Sequence, residues 1–167
     1  MAHTADMGIY YSTDPAVLST GIYPITTSVG GRLHISSNPG LTTAENAFPR
    51  LTRVQERCAP TCAWSGLNIE LNDNLATLGN AFPALVELGS DRNGIALSVS
   101  GNSALTTLGS AFASLRRIPG RHRFQNNPLL TDFEALRNVE CHGGIFQNFP
   151  TPYCQNCPAW LLALPRC

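Results

Sequence analysis

Charge is scarce in this sequence: Asp, Glu, Lys and Arg together make up 13% of 167 residues, about half the usual quarter. The water-facing surface must therefore be built largely from Ser, Thr, Asn and Gly. Eleven basic residues balance eleven acidic ones, so no global field gathers nucleic acid or anionic lipid, and nucleic-acid binding loses its main argument. Long apolar runs are also missing. The longest, Ala159 to Leu164, lies between Pro158 and Pro165 and falls far short of the roughly 20 residues that cross a bilayer. Met1 to Gly21 holds no basic start followed by an apolar block, so no secretory leader is expected in that segment. No Asn-x-Ser/Thr triplet occurs, and N-glycosylation is not expected. Hydrophobic residues at 43% and aromatics at 8% are ordinary, and the length suits one domain with a continuous core.

One phrase recurs along the chain, with a spacing in the range of solenoid repeats. Its first copy runs Leu33-His-Ile35-Ser-Ser-Asn38-Pro-Gly-Leu41 and on to Phe48, Leu51 and Val54. The second runs from Leu67 through Ile69, Leu71, Asn72 and Leu75 to Phe82, Leu85 and Leu88. A third runs from Leu97 through Val99, Asn102 and Leu105 to Phe112, Leu115 and Ile118. The fourth, from His122 through Phe124, Asn127 and Leu130 to Phe133, Leu136 and Val139, has lost part of the Asn-Ala-Phe segment, and a fifth begins near Gly144. The alternation Leu67-Asn68-Ile69-Glu70-Leu71 has strand period, which predicts Leu67, Ile69 and Leu71 inward and Asn68 and Glu70 outward. Apolar residues then follow three or four apart, a spacing that predicts short helical or 3₁₀ turns on the far side, kept short by Pro49 and Pro83. Asn38, Asn72, Asn102 and Asn127 fall where each strand turns inward. A stacked column of Asn there can satisfy the backbone groups that the bend leaves unpaired.

The pattern Gly-x-Leu-x-Ile-x-x-Asn-x-x-Leu, with Leu-x-x-Ile following, resembles the receptor L-domain branch of the leucine-rich-repeat superfamily, over roughly Ser28 to Asn148. The phrase Ala104 to Phe112 also resembles degenerate L-domain arrays of protist and algal surface proteins. The resemblance implies an α/β solenoid: a right-handed coil with a parallel sheet on one face, short helical or 3₁₀ turns on the other, and a cysteine-rich end. It also implies extracellular recognition and carries no catalytic residue; hormone binding is not implied, because receptor L domains are longer and have their own cysteine framework. Three segments follow: 1–27 as an N-terminal cap or docking arm, 28–140 as about four repeats, and 141–167 as final coil and C-terminal cap.

The six cysteines gather in two places, Cys58 and Cys62 in an insertion, and Cys141, Cys154, Cys157 and Cys167 near the end. Clustering where a solenoid must close its core favours disulfides and an oxidising, extracellular compartment. The competing reading is zinc on Cys154-Gln-Asn-Cys157, completed by Cys141, Cys167 or His142. As a redox pair the same motif lacks its βαβ setting. The insertion Gln55 to Ser65 is expected to project as a loop, holding Trp64 at the surface or folding it back over the coil. His3, His34, His122 and His142 are scattered, with His122 expected inward.

The outward strand positions are the candidate binding surface: His34, Ser36, Asn68, Glu70, Ser98, Ser100, Arg123, Gln125 and Gln147, with Arg32 and Arg121 beside them. Such a face offers many donors and acceptors on rigid elements with little net charge, which suits a sugar or polar peptide better than a phosphate polymer. The expected partner is a protein, a carbohydrate, or a second copy of the chain docking through the N-terminal arm into a fibre. No enzyme activity, cofactor, metal, nucleic acid or membrane span is expected.

Overall fold

A computed structural model describes residues 2–3, 6–14, 23–54, 66–90, 94–145, 154 and 156–167. The chain is a parallel β-solenoid with almost no helix among the described residues. In chain order its strands are β1 (Ala2–His3), β2 (Met7–Tyr10), β3 (Ser28–Val29), β4 (Leu33–Ser36), β5 (Arg53–Val54), β6 (Leu67–Glu70), β7 (Glu87–Leu88), β8 (Ile95–Ser100), β9 (Arg117–Gln125) and β10 (Cys141–Ile145). They form a six-stranded sheet in the order β10-β9-β8-β6-β4-β2 and a four-stranded one in the order β1-β3-β5-β7. The segment before the first repeat thus supplies a rung to each sheet.

Repetition in the sequence becomes stacking in space. Leu33, Leu67, Leu97 and His122 occupy successive strands at one register, and Ile9, Ile35, Ile69, Val99 and Phe124 at the next. All of these side chains are buried. Behind them Tyr23, Phe48, Phe82 and Phe112 form a column of stacked rings, with centroids 4.7, 5.4 and 5.8 Å apart.

The strands end on an asparagine ladder. The side-chain amide of Asn72 donates to the Ile35 carbonyl (3.1 Å) in the coil before it, while its Oδ1 accepts from the Asn38 backbone N–H (3.1 Å). Asn102 does the same for Ile69 and Asn72, and Asn127 for Val99 and Asn102. In the first rung Asn38 reaches Ile9 and receives the N–H of Ser12. The residue before each rung's ladder position is left-handed: Tyr11, Ser37, Leu71, Gly101 and Asn126 have φ between 56° and 68°. That kink ends the strand alternation one residue early, so Leu71 is 59% exposed rather than inward, and Asn72 takes the inward place.

The far side is built from corners rather than helices. Single turns close through Ala81 N–H to Leu78 O (3.1 Å) and Leu85 N–H to Phe82 O (3.1 Å), with equivalents in the neighbouring coils. Thr43, Thr77, Thr107 and Asp132 stack as parallel bridges, and their side-chain oxygens accept the N–H two residues on. Chain that reverses direction twice per coil brings apolar residues inward at spacings of three and four without forming a helix. Regular helix among the described residues is confined to a 3₁₀ turn, Glu134–Leu136, where the fourth repeat is shortened, and to α1 (Ala159–Leu162).

Two substitutions probe this fold by unfolding in denaturant. Phe82→Ala removes the middle of the ring column and should cost about 3–5 kcal/mol; a change near zero would refute the stacked core. Leu71→Gly relieves a left-handed leucine and should stabilise by about 0.5–1 kcal/mol, whereas a loss would show that Leu71 contributes packing that outweighs the strain.

Candidate functional site

Register sorts the outward positions into two rows running across the strands. One contains Gly8, His34, Asn68, Ser98 and Arg123, and the other Tyr10, Ser36, Glu70, Ser100 and Gln125. The expected residues from His34 to Gln125 therefore share one face of the six-stranded sheet. They are not equally available. Ser36, Ser98 and Ser100 are buried, because each is short and lies among larger neighbours, so they form a floor and not a set of exposed contacts.

Glu70 is the hub. One carboxylate oxygen accepts the Ser98 hydroxyl at 2.8 Å, and the other lies 3.5 Å from His34 Nε2. Burial would raise the carboxyl pKa, but His34, the Ser98 hydrogen bond and the Arg123 charge together hold it below the ordinary value. The carboxylate is thus ionised at neutral pH. Arg123 Nε donates to Gln125 Oε1 at 3.0 Å. At the edge, the Tyr10 hydroxyl is 3.1 Å from His34 Nδ1. Ser98, Glu70 and His34 do not make a nucleophile relay, since the carboxylate stands between hydroxyl and imidazole and Ser98 is 1% exposed. In a serine triad the imidazole is the base beside the hydroxyl and the carboxylate orients it from behind.

Tyr10 is the residue that sequence reading missed. Its strand shows the same alternation as the repeats, with Met7 and Ile9 paired to Leu33 and Ile35, but Ser12 stands where later coils have Asn, and the matching phrase is lost. Gln147, Trp64, Cys58 and Cys62 lie outside the described residues.

At the other end, Cys141 pairs with Cys167 and Cys154 with Cys157, the Cα atoms 5.0 and 5.3 Å apart. Disulfide pairing at this end fits an oxidising compartment. Cys154 also bridges to Phe124 of β9, and Arg166 to His142 of β10, where it continues the ladder past that strand. Among the described residues no three His, Cys, Asp or Glu side chains converge to hold a metal ion, and no helix is long and apolar enough to cross a membrane.

Beneath that closure lie two buried imidazoles, His122 and His142, with ring centroids 4.9 Å apart. Among the described residues, neither ring nitrogen of His122 has a hydrogen-bond partner. Burial lowers its pKa to about 3, helped by His142 and the Arg166 charge. For His142, burial and Arg166 lower the pKa, while the backbone at Gly144 and Leu164 opposes the shift without cancelling it.

No protein-family model, curated protein or solved structure matches the chain.

Both imidazoles stay neutral in the fold and charge on unfolding, so the unfolded chain binds more protons below about pH 6.5 and stability falls as pH drops through that value. With the folded pKa of His122 near 3, the loss from this residue at pH 5 should be about 2 kcal/mol. Urea melts at pH 7.5 and 5 measure it. His122→Leu, which extends the Leu33, Leu67, Leu97 column, should remove most of the difference; equal stability of the native chain at both pH values would contradict the buried pair.

Proposed function

We propose that this chain is an extracellular or cell-surface recognition module of receptor L-domain-like leucine-rich-repeat type, not an enzyme, that presents the outward face of its six-stranded sheet to a protein or carbohydrate partner. The observation that carries the reading is the pair of ordered polar rows on that face. An ionised Glu70 lies among His34, Asn68, Ser98 and Arg123 on strands whose register is pinned by the asparagine ladder. Groups fixed on strands are positioned more tightly than groups on loops, and little rotamer freedom remains to be lost on binding. The repeat pattern supports the family reading. Paired cysteines at the closing coil support export to an oxidising compartment.

A second reading is a structural subunit of an extracellular filament or surface matrix assembled through the N-terminal arm. The position of β1 and β2 at one end of both sheets favours it, because an edge strand is a template for pairing with another chain.

The test uses arrays of immobilised extracellular glycans and polar peptides. Glu70→Gln with Arg123→Ala should weaken binding about tenfold or more, while the loss of stability, from sites inside a hydrogen-bonded network, should stay near ~1 kcal/mol per site and leave the chain folded. Gln is chosen over Ala at Glu70 because the Ser98 hydroxyl keeps an acceptor. If the double variant binds like the native chain, the sheet-face reading is wrong. Filaments in electron micrographs of both proteins, with no array binding, would establish the structural reading in its place.

A further inference from the structure

We propose that Tyr10, with the row beside it, is a subsite for a sugar ring of a neutral polysaccharide laid across the strands. The proposal rests on the sheet face being the partner surface and adds the ligand class. It starts from the way Tyr10 is held. A β-carbon at Gly8 would clash with Cε2 of the Tyr10 ring, so the absence of a side chain at Gly8 is what lets the ring lie back over its own strand. His34 stands edge-on to it, with centroids 5.1 Å apart and planes at 85°. The hydroxyl is fixed by His34 Nδ1 at 3.1 Å and by the Arg32 guanidinium at 3.4 Å. Tyr10 nevertheless remains 43% exposed, and the ring of the 80% exposed Tyr11 lies beside it, with centroids 6.3 Å apart and planes at 37°. The result is an apolar plate held in place before any ligand arrives, which lowers the ordering cost of binding.

The surroundings of the plate select the ligand. Next to Tyr10 in its row come Ser36, Glu70, Ser100 and Gln125. At about 4.8 Å per strand, the row from Tyr10 to Gln125 spans roughly 19 Å, room for several sugar units. Ser36 and Ser100 are low and buried, so the row is a shallow trough between the Tyr10 ring and the Arg123–Gln125 pair. A sugar ring has an apolar C–H face and a rim of hydroxyls. The plate takes the first, and the Glu70 carboxylate, Asn68 and Gln125 amides and Arg123 guanidinium take the second. An anionic polymer would meet an ionised Glu70 in the middle of the trough. A folded protein partner would look for a larger apolar centre than one or two rings.

Affinity electrophoresis through gels containing soluble β-1,3-glucan, xyloglucan, galactomannan or hydroxyethyl cellulose tests the proposal, with alginate as the charged control. At least one neutral polysaccharide should retard the native protein. Tyr10→Ala should weaken that retardation about tenfold, as removal of a central aromatic contact does, with unchanged thermal unfolding, while Tyr10→Phe keeps most of it. Gly8→Ala, which displaces the ring without removing it, should weaken binding in the same direction. Retardation by none of the four neutral polymers, by alginate alone, or equally in Tyr10→Ala overturns the proposal. If peptide arrays bind the chain through Glu70 and Arg123 while the gels show nothing, the sugar subsite fails and the sheet-face reading stands. Silence in both assays removes both.

Discussion

Everything in this solenoid depends on how the buried corner after each strand satisfies its backbone. A parallel strand that turns sharply into the core carries N–H and C=O groups away from water, each of which costs free energy if left unpaired. The side chain of Asn meets that need with two donors and one acceptor in a short, stiff frame. Asn72 binds backward to Ile35 O and to Glu70 O, and receives Asn38 through both its main-chain and its side-chain nitrogen. Each rung is therefore fastened to the one before at a single register. The ladder residues are separated by 34, 30 and 25 positions in sequence, yet they stack identically. The differences in these separations fall where the chain returns to the six-stranded sheet: a connecting segment stands between β5 and β6 and between β7 and β8, whereas β9 runs on without one.

The same device explains what the sequence made legible. A residue type that is needed at one geometric point recurs there, so the Asn column, the inward Leu and Ile positions and the inward His122 could be read from one chain. Leu71 could not. It continues the apolar alternation on paper, but the corner demands a left-handed backbone just before the Asn, and that demand is filled in different coils by Tyr, Ser, Leu, Gly and Asn with no common letter. Of the expected helical or 3₁₀ turns, a regular one forms at Glu134–Leu136 and the other described coils close through single turns, for a related reason: spacings of three and four arise from a helix and from a chain rounding two corners alike, and only the hydrogen-bond partners separate the two. The first rung stayed hidden because Ser12 replaces the diagnostic Asn.

The candidate face was legible as a list and not as a surface. Period-two alternation places side chains on one side of a sheet, but whether they are reachable depends on neighbours from strands tens of residues away. Ser98 sits under Glu70, and Glu70 keeps its charge because Ser98, His34 and Arg123 stand around it. Those relations exist only once the register is set. Tyr10 gained its role in the same way, from a glycine two residues earlier that leaves room for a ring.

The two ends of a stack face opposite problems, since a terminal coil has a neighbour on one side only. Among the described residues at the C-terminal end, Asn156 donates to the carbonyls of Pro128 and Leu130, Arg166 bridges to His142, and Cys141 is tied to Cys167. A covalent tie of this kind restricts the unfolded chain and does not depend on packing that a further coil would have supplied. It closes over the two histidines, one of which occupies the place in the core column that Leu holds in three earlier coils. A buried imidazole contributes there only while neutral, so the strength of this last layer depends on pH in a way the leucine layers do not, and the staple is placed where the noncovalent core is most conditional.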